Sequence, residues 1–87
     1  GAILEHDSVM EDFSSLAPRV VTGGNVKIGF CSAIGIGAVI SNKIKIGLHT
    51  VIGAGSVVIE NIGDFAVAYG VPCKTIRTRE VGEKYLK

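Results

Sequence analysis

Residues 20–58 read VVTGGNVKIGFCSAIGIGAVISNKIKIGLHTVIGAGSVV, and an aliphatic side chain returns at almost every sixth position of this stretch. Counting in sixes from Leu4 to Val58 gives ten positions, of which nine are aliphatic and the other is Thr22. The residues two places before each of them carry no charge and no aromatic ring. A six-residue repeat in one register fits neither a 3.6-residue helix nor a plain alternating strand. It is typical of a solenoid.

The spacing also predicts how each repeat is folded. Side chains two apart on a strand point to the same side, so both the repeating aliphatic and the residue two before it can face inward. A turn must follow, and glycine directly after the aliphatic, as at Gly35 and Gly53, eases it because it lacks a Cβ. Three such strands make a coil of eighteen residues, and coils stack about 4.8 Å apart. The prediction is an all-β fold, a parallel β-helix of about three coils. Its inner columns are Leu4–Thr22–Ile40–Val58, Met10–Ile28–Ile46 and Leu16–Ile34–Ile52.

Composition and charge exclude several classes of protein. The chain is 47% hydrophobic but only 6% aromatic, without Trp, as suits a prism one aliphatic side chain thick. Its net charge of +1 gives no electrostatic case for nucleic acid or a membrane surface. No apolar run is long enough for a membrane helix. Cys31 and Cys73 have no metal-like spacing, so we interpret them as reduced thiols of a cytoplasmic protein.

The repeat divides the 87 residues into two parts of one domain. Residues 1–61 are predicted as the hexapeptide-repeat β-helix, and residues 62–87 as a C-terminal strand and tail. The segment IGDFAVAYGVPCKTIR, residues 62–77, predicts a turn, a short strand and an edge segment. The charged residues 77–87 are expected to form a frayed helix or a loose tail. The abrupt start of the coil leads us to expect a C-terminal piece of a longer protein, or a form that covers its top edge by assembly.

Five segments carry a resemblance to a known family. They are ILEHDSVMEDF at 3–13, TGGNVKIG at 22–29, IGIGAVI at 34–40, VIGAGSVV at 51–58 and YGVPCKTIR at 69–77. Together they resemble the hexapeptide-repeat acyltransferases of left-handed β-helix fold. The branch that they resemble is the bacterial sugar acetyltransferases, including sialic acid O-acetyltransferase and the N-acetyltransferases of UDP-linked amino sugars. Left-handed coiling is implied by this resemblance, since parallel crossovers are otherwise right-handed.

The candidate catalytic residues lie near the start of the chain. His6 falls on the outer side of a predicted coil corner, and an imidazole can take a proton from an attacking amine or hydroxyl. The resemblance implies that the acid directly after it, Asp7, orients the ring. Gly24 is eighteen residues after His6 and is therefore predicted to stack beneath it. Its N–H could bind a tetrahedral oxyanion, a role that the family also implies. From the residues alone, a solvated histidine and a plain turn glycine stay open as alternatives for His6 and Gly24.

The resemblance implies that acetyl-CoA is the acyl donor and lies in a groove between neighbouring subunits. Ile36 and Ala54, eighteen apart, would line this groove on a different edge from His6. Lys74 and Arg77 would meet the CoA phosphates, although solvated charges on an edge strand explain them equally well. Ser15 stands where this branch usually has a second histidine that contacts the thioester, which puts that contact in question.

Assembly and alternative functions complete the expectations. A core this small predicts a homotrimer, and the family implies a sugar or nucleotide-sugar acceptor. A zinc site like that of γ-class carbonic anhydrases needs three histidines, and the chain has only His6 and His49, so we expect no metal. The other alternative is a non-catalytic trimeric scaffold or a remnant lacking the sugar-binding domain. Ser15 favours that alternative, whereas His6, Asp7 and Gly24 favour the enzyme.

Overall fold

The structure of the protein is a computed structural model, and it describes residues 7–78. This part of the chain contains strands and turns and no helix. Nine strands have two residues each, and the last two are longer. They are β1 Val9–Met10, β2 Ser15–Leu16, β3 Val21–Thr22, β4 Lys27–Ile28, β5 Ala33–Ile34, β6 Val39–Ile40, β7 Lys45–Ile46, β8 Val51–Ile52, β9 Val57–Val58, β10 Ala66–Tyr69 and β11 Lys74–Thr78.

The strands form three sheets that wrap around one axis. Their orders are β1–β4–β7, β2–β5–β8–β10–β11 and β3–β6–β9, and every pair except β10–β11 is parallel. Each residue of β1 to β6 pairs with the one eighteen places later, such as Leu16 with Ile34 and Ile34 with Ile52. The predicted β-helix and its columns are therefore confirmed, except at Leu4, which lies outside the described residues.

The interior is a narrow stack of aliphatic side chains with short polar ones between them. Ile28, Ile34, Ile40, Ile46 and Ile52 are at most 2% exposed. The positions two residues earlier are also buried, as predicted, and some of them are polar. Ser32, Thr50 and Ser56 are each at most 1% exposed.

Hydrogen bonds along the axis satisfy these buried hydroxyls. Ser32 Oγ donates to the Gly47 carbonyl at 2.5 Å and accepts from the Thr50 N–H at 2.9 Å. Thr50 Oγ1 donates in turn to the Gly63 carbonyl at 2.7 Å. Because every buried hydroxyl in this run has a partner, small polar residues can occupy the core at little cost.

The turns correct our explanation of the glycines. The residue with left-handed φ lies three places after each inward aliphatic, as in Asn25 (φ 60°), Gly37 (φ 72°) and His49 (φ 50°). The predicted turn glycine, directly after the aliphatic, is not among these left-handed residues. At Gly35 a Cβ would lie 2.6 Å from the Ala54 nitrogen in the next coil. Glycine is needed there because the next coil approaches closely, and not because the turn bends there.

The last coil is shortened and closed by a hairpin. Ile62 bridges Ile46 and Val67 pairs with Val51, so the period falls from eighteen to sixteen residues. Strand β11 then folds back antiparallel onto β10. In the turn between them, Cys73 N–H donates to the Val57 carbonyl at 2.8 Å, which covers the edge of β9.

This end of the chain confirms most of its prediction. The predicted turn, short strand and edge segment are present as residues 62–65, β10 and β11. Residues 77 and 78, however, belong to β11 rather than to the predicted tail. Residues 79–87 lie outside the described part of the chain, and the division at residue 61 stays a prediction.

Candidate functional site

Three stacks of turns form the corners of the prism, and each has its own chemistry. The Gly24 corner contains the turns at 24–25 and 42–43, with residue 7 above them; it is polar. The Ile36 corner contains the turns at 18–19, 36–37 and 54–55, which are mostly small or apolar. The Phe30 corner contains the turns at 12–13, 30–31, 48–49 and 64–65, and it holds aromatic rings.

The Gly24 corner holds the described part of the predicted catalytic set. His6 lies outside the described residues. Asp7 is exposed and has the same left-handed conformation (φ 57°) as Asn25 and Lys43, which follow it at intervals of eighteen residues. Gly24 is partly buried, and its carbonyl accepts the Lys43 N–H at 2.9 Å. Residues eighteen apart therefore occupy equivalent turn positions at this corner, beginning with Asp7. The predicted stacking of His6 on Gly24 needs the same spacing one residue earlier.

Three of the predicted ligand-binding residues occupy the same position in their turns. Gly24, Ile36 and Ala54 are each the first residue of a two-residue turn. The carbonyls of Gly24 and Ile36 accept hydrogen bonds from the next coil. The Ile36 carbonyl, for example, accepts the Gly55 N–H at 2.8 Å. The N–H groups of all three, however, donate to no residue within 7–78. Ile36 and Ala54 are exposed, so within the described residues their donors can be reached by a ligand, and Gly24 is only partly buried.

A groove runs along the outer side of the β2–β5–β8 sheet. Its volume is about 590 Å³, and it contains three predicted cofactor residues: Ser15, Ile36 and Ala54. Its lining is otherwise apolar or small. The remaining lining residues are Leu16, Ala17, Ala33, Ile34, Gly35, Val51, Ile52 and Gly53. The structure therefore brings together residues that sequence reasoning placed there one at a time.

The predicted basic residues lie on the edge strand of the same sheet. Paired residues continue one outward row from Ser15 through Ala33, Val51 and Val67 to Arg77. Lys74 pairs with Tyr69, which is also outward, and opposed residues of an antiparallel pair share a face. Four steps of about 4.8 Å place Arg77 roughly 19 Å from Ser15 along the axis. Lys74 also forms an exposed ion pair with Glu60 at 3.4 Å.

Within one chain, the two predicted halves of the site are separate. Asp7 and Gly24 are at one corner, and the groove with Ile36 and Ala54 ends at another. The β3–β6–β9 sheet lies between these two corners. A site that uses both halves must therefore combine two copies of the chain, as the sequence prediction assumed.

Two features were missed or only partly seen in the sequence. The groove floor includes Ala33 and Val51, the outward strand positions beside Ser15, which the eighteen-residue spacing could have identified. At the Phe30 corner, His49 stacks on Phe65 with ring centroids 5.3 Å apart and contacts Phe30 at 5.8 Å. We expected a solvent-facing or interface histidine, and the structure places it, partly buried, in an aromatic ladder that begins at Phe13.

Other chemistry in the described chain is limited. Burial raises the pKa of the Cys73 thiol, and a hydrogen bond with Ser56 opposes this more weakly. Cys31 and Cys73 are both free thiols. No three His, Cys, Asp or Glu side chains among residues 7–78 are grouped so as to hold a metal ion. The described part of the chain also has no helix long and apolar enough to cross a membrane.

Comparison with solved structures identifies the type of solenoid. Perosamine N-acetyltransferase from Caulobacter crescentus, solved as a histidine variant with CoA and GDP-perosamine, superimposes with a TM-score of 0.85 at 33% identity. The acetyltransferase domain of PglB from Neisseria gonorrhoeae, solved with acetyl coenzyme A, gives 0.85 at 32%. Serine acetyltransferase from Brucella abortus gives 0.80 at 32%. No family model and no curated protein matches the chain.

These similarities cover most of this chain but only part of each relative. They extend over 85–86% of the chain and 33–37% of the three relatives, so the chain spans about a third of their length. A solenoid of opposite hand would not superimpose so closely, so the coil has the hand of these structures. The fold is a left-handed parallel β-helix of hexapeptide repeats. The chain belongs to the hexapeptide-repeat acyltransferases.

Proposed function

We propose that this chain binds acetyl-CoA and transfers its acetyl group to an amine or hydroxyl of a sugar or nucleotide-sugar. The observation that carries the proposal is the groove on the β2–β5–β8 sheet, which gathers Ser15, Ile36 and Ala54. Two relatives above 30% identity were solved with CoA or acetyl coenzyme A.

The groove has the chemistry that a pantetheine arm requires. That arm is long, thin and mostly apolar, with two amide groups that need hydrogen-bond partners. Small residues such as Ala33 and Gly53 leave room along the floor, and the N–H groups of Ile36 and Ala54 are available donors. Lys74 and Arg77 extend the same face at its far end and would meet the phosphates.

The reaction is assigned to the Gly24 corner. His6, oriented by Asp7, removes a proton from the acceptor as its nitrogen or oxygen attacks the thioester carbon. The Gly24 N–H stabilises the negative charge that develops on the carbonyl oxygen. When the carbon–sulfur bond breaks, His6 returns the proton to the departing thiolate. The proposal is supported by the residue spacing of eighteen and by a Gly24 N–H that donates to no residue within 7–78.

Assembly follows from the separation of the two halves. We propose a homotrimer in which the Gly24 corner of one copy faces the groove of the next, giving three equivalent sites.

For the acceptor, we favour the amine of an amino sugar. The perosamine enzyme was solved with GDP-perosamine, whereas the serine enzyme, equally similar in sequence, is named for a different acceptor. The solenoid alone therefore does not select the acceptor.

The test uses the two histidines of the chain as a matched pair. His6→Ala should lower the turnover of acetyl-CoA with an amino-sugar acceptor by about 10²–10⁴-fold. Binding of acetyl-CoA, measured by calorimetry, should change little, because the groove holds it mainly through backbone and small residues. His49→Ala, at the Phe30 corner, is the control and should retain turnover. Equal turnover in His6→Ala and the parent chain would contradict the assignment of the base.

A second candidate function is a non-catalytic trimeric scaffold. Ser15 favours it, because serine reaches less far than histidine and carries no charge. Calorimetry with acetyl-CoA separates the two candidates. Saturable binding at one site per chain supports the enzyme, and the absence of binding by a folded trimer supports the scaffold.

A further inference from the structure

A serine hydroxyl is inserted into the turn at residues 24–25 of the Gly24 corner. Ser8, which is partly buried, lies one coil above this turn. Its Oγ donates to the Gly23 carbonyl at 3.2 Å and accepts the Val26 N–H at 3.0 Å. The two ends of the turn are therefore joined through a side chain, and the Val26 N–H does not bond to the Gly23 carbonyl directly.

A turn of the Ile36 corner closes differently. Its Ala38 N–H donates directly to the Gly35 carbonyl at 3.2 Å. The residue one coil above Ala38 is Val20, which has no hydroxyl to insert. The open turn at the Gly24 corner is therefore a consequence of serine at position 8, and the coil itself does not require it.

The carbonyl that Ser8 binds belongs to the same peptide group as the Gly24 N–H. This peptide is trans, so its C=O and its N–H point in opposite directions. Ser8 occupies an inward position, two residues before Met10, so a carbonyl directed at it turns the Gly24 N–H towards the outer surface. A hydroxyl that donates to a carbonyl also polarises the peptide and strengthens its N–H as a donor.

We infer that Ser8 is a positioning residue for acetyl transfer, acting through the peptide that joins Gly23 and Gly24. The inference rests on the proposed function, in which the Gly24 N–H stabilises the negative charge on the thioester carbonyl oxygen. Ser8 fixes the direction of this donor and does not itself contact the substrate. It also follows His6 by two residues in the chain, so one residue links the segment of the base to the turn of the donor.

The chain offers a matched control at the Phe30 corner. Ser32 Oγ makes the same pair of bonds around the turn at 48–49, to the Gly47 carbonyl at 2.5 Å and from the Thr50 N–H at 2.9 Å. Ser32 is 1% exposed and its bonds are shorter, so Ser32→Ala should destabilise the coil at least as much as Ser8→Ala. A fall in turnover caused only by lost stability would therefore appear in both variants.

The experiment measures acetyl transfer from acetyl-CoA to a nucleotide-linked amino sugar by variants of the 87-residue chain. Ser8→Ala should lower kcat by about three- to thirtyfold, less than the roughly 10²–10³-fold cost of losing an oxyanion donor outright. The Kd of acetyl-CoA should not change, because the donor acts on charge that develops in the transition state. Ser32→Ala should retain kcat. Ser8→Thr should restore it, since Thr50 Oγ1 already makes such a pair of bonds with the Gly63 carbonyl and the Ala66 N–H.

A second measurement reports on the peptide itself. In proton–nitrogen correlation spectra, Ser8→Ala should move the Gly24 amide resonance, because the peptide loses the hydroxyl that polarises it. Ser32→Ala should leave that resonance in place. Circular dichroism checks that each variant keeps the coil. If Ser8→Ala does not fold, Ser8→Val replaces it, because valine fills the inward positions at Val20 and Val26.

Each outcome decides the inference. A lower kcat and a displaced Gly24 resonance in Ser8→Ala, both restored by Ser8→Thr and absent from Ser32→Ala, support it. Equal losses of kcat in Ser8→Ala and Ser32→Ala would overturn it, as would an active parent whose kcat Ser8→Ala leaves unchanged, and both results would retain the proposed function. A folded parent without transferase activity would reject the proposed function. The Gly24 resonance would then decide alone whether Ser8 orients the peptide.

Discussion

The inner columns and the outer corners are built from the same six-residue unit, yet they use it in different ways. Inside, Ile28, Ile34, Ile40 and their equivalents are interchangeable around the coil and along it. Outside, the three corners share one backbone conformation and differ in every other respect. One corner is polar, one is small and apolar, and one is aromatic.

This difference shows which positions of a repeat can carry functional residues. An inward position must be aliphatic or a small, satisfied polar residue, because each coil encloses it on all sides. An outward position is free of this constraint, but the register still fixes which positions lie above one another. Stacked departures from the repeat, such as Ile36 above Ala54, therefore build a site from single residues contributed by successive coils.

The largest expected effect compares two isoleucines that are two residues apart. Ile34 is 2% exposed and Ile36 is 51% exposed. Ile34→Ala should lower the free energy of unfolding by about 2–5 kcal/mol, through lost burial and a cavity in the column. Ile36→Ala should cost less than about 1 kcal/mol and instead weaken acetyl-CoA binding. Urea unfolding and calorimetry measure both, and equal losses of stability would mean that inside and outside are not distinct at this coil.

Two glycines in the same repeat give the next largest effect. Gly35→Ala should destabilise the coil by about 1–3 kcal/mol, since the new methyl group would meet the backbone at Ala54. Gly37 has left-handed φ but open space around it, and Asn25 already occupies the same turn position. Gly37→Asn should therefore cost less than about 1 kcal/mol. Thermal unfolding ranks the pair, and a larger loss for Gly37→Asn would show that turn conformation outweighs coil contact.

The sequence predicted the inner columns from Met10 to Val58, because a single six-residue period accounts for every member of them. Thr22 could be assigned to a column from its position alone, although it is not aliphatic. The groove was predicted in part: Ser15, Ile36 and Ala54 were identified, while Ala33 and Val51 beside them were not. Ala and Val carry little functional signal of their own, so these two could be identified only by extending Ser15 through the eighteen-residue spacing.

The prediction was weakest where a contact between coils, rather than the repeat itself, decides the outcome. Glycine at residue 35 was given a role in the turn, but the reason for it lies in the next coil. The sequence showed that the period breaks after Val58, since Asp64 stands six residues later, but we did not predict that Ile62 closes a coil of sixteen residues by pairing with Ile46. His49 needed its neighbours Phe30 and Phe65 before its surroundings were clear.

A smaller effect is expected from completing the groove. Ser15→His places an imidazole at the position where the family usually has one, on the outer side of β2. One added hydrogen bond to the thioester contributes about 0.5–1.5 kcal/mol, so kcat/KM should rise roughly two- to tenfold. Val9→His adds the same side chain on the β1–β4–β7 face and should have no effect. A gain in both variants, or a loss in Ser15→His alone, would contradict the assignment of Ser15 to the acyl end of the groove.

The smallest effect separates the two thiols. Cys73 is 2% exposed, whereas Cys31 is a partly exposed turn residue. Because burial raises the pKa of Cys73, its thiolate is disfavoured in the folded chain, and iodoacetamide at pH 8 should label Cys31 first. Because the pKa of Cys73 is higher in the folded chain than in the unfolded chain, the neutral thiol adds to the free energy of unfolding. This contribution is fully present below about pH 8.5, the ordinary pKa of a thiol, and is lost as the pH rises through the pKa of the folded state. Unfolding measured from pH 7 to 10 should show this small decline in the parent chain and less of it in Cys73→Ala. Faster labelling of Cys73 than of Cys31 would show that the hairpin opens readily and does not seal the end of the coil.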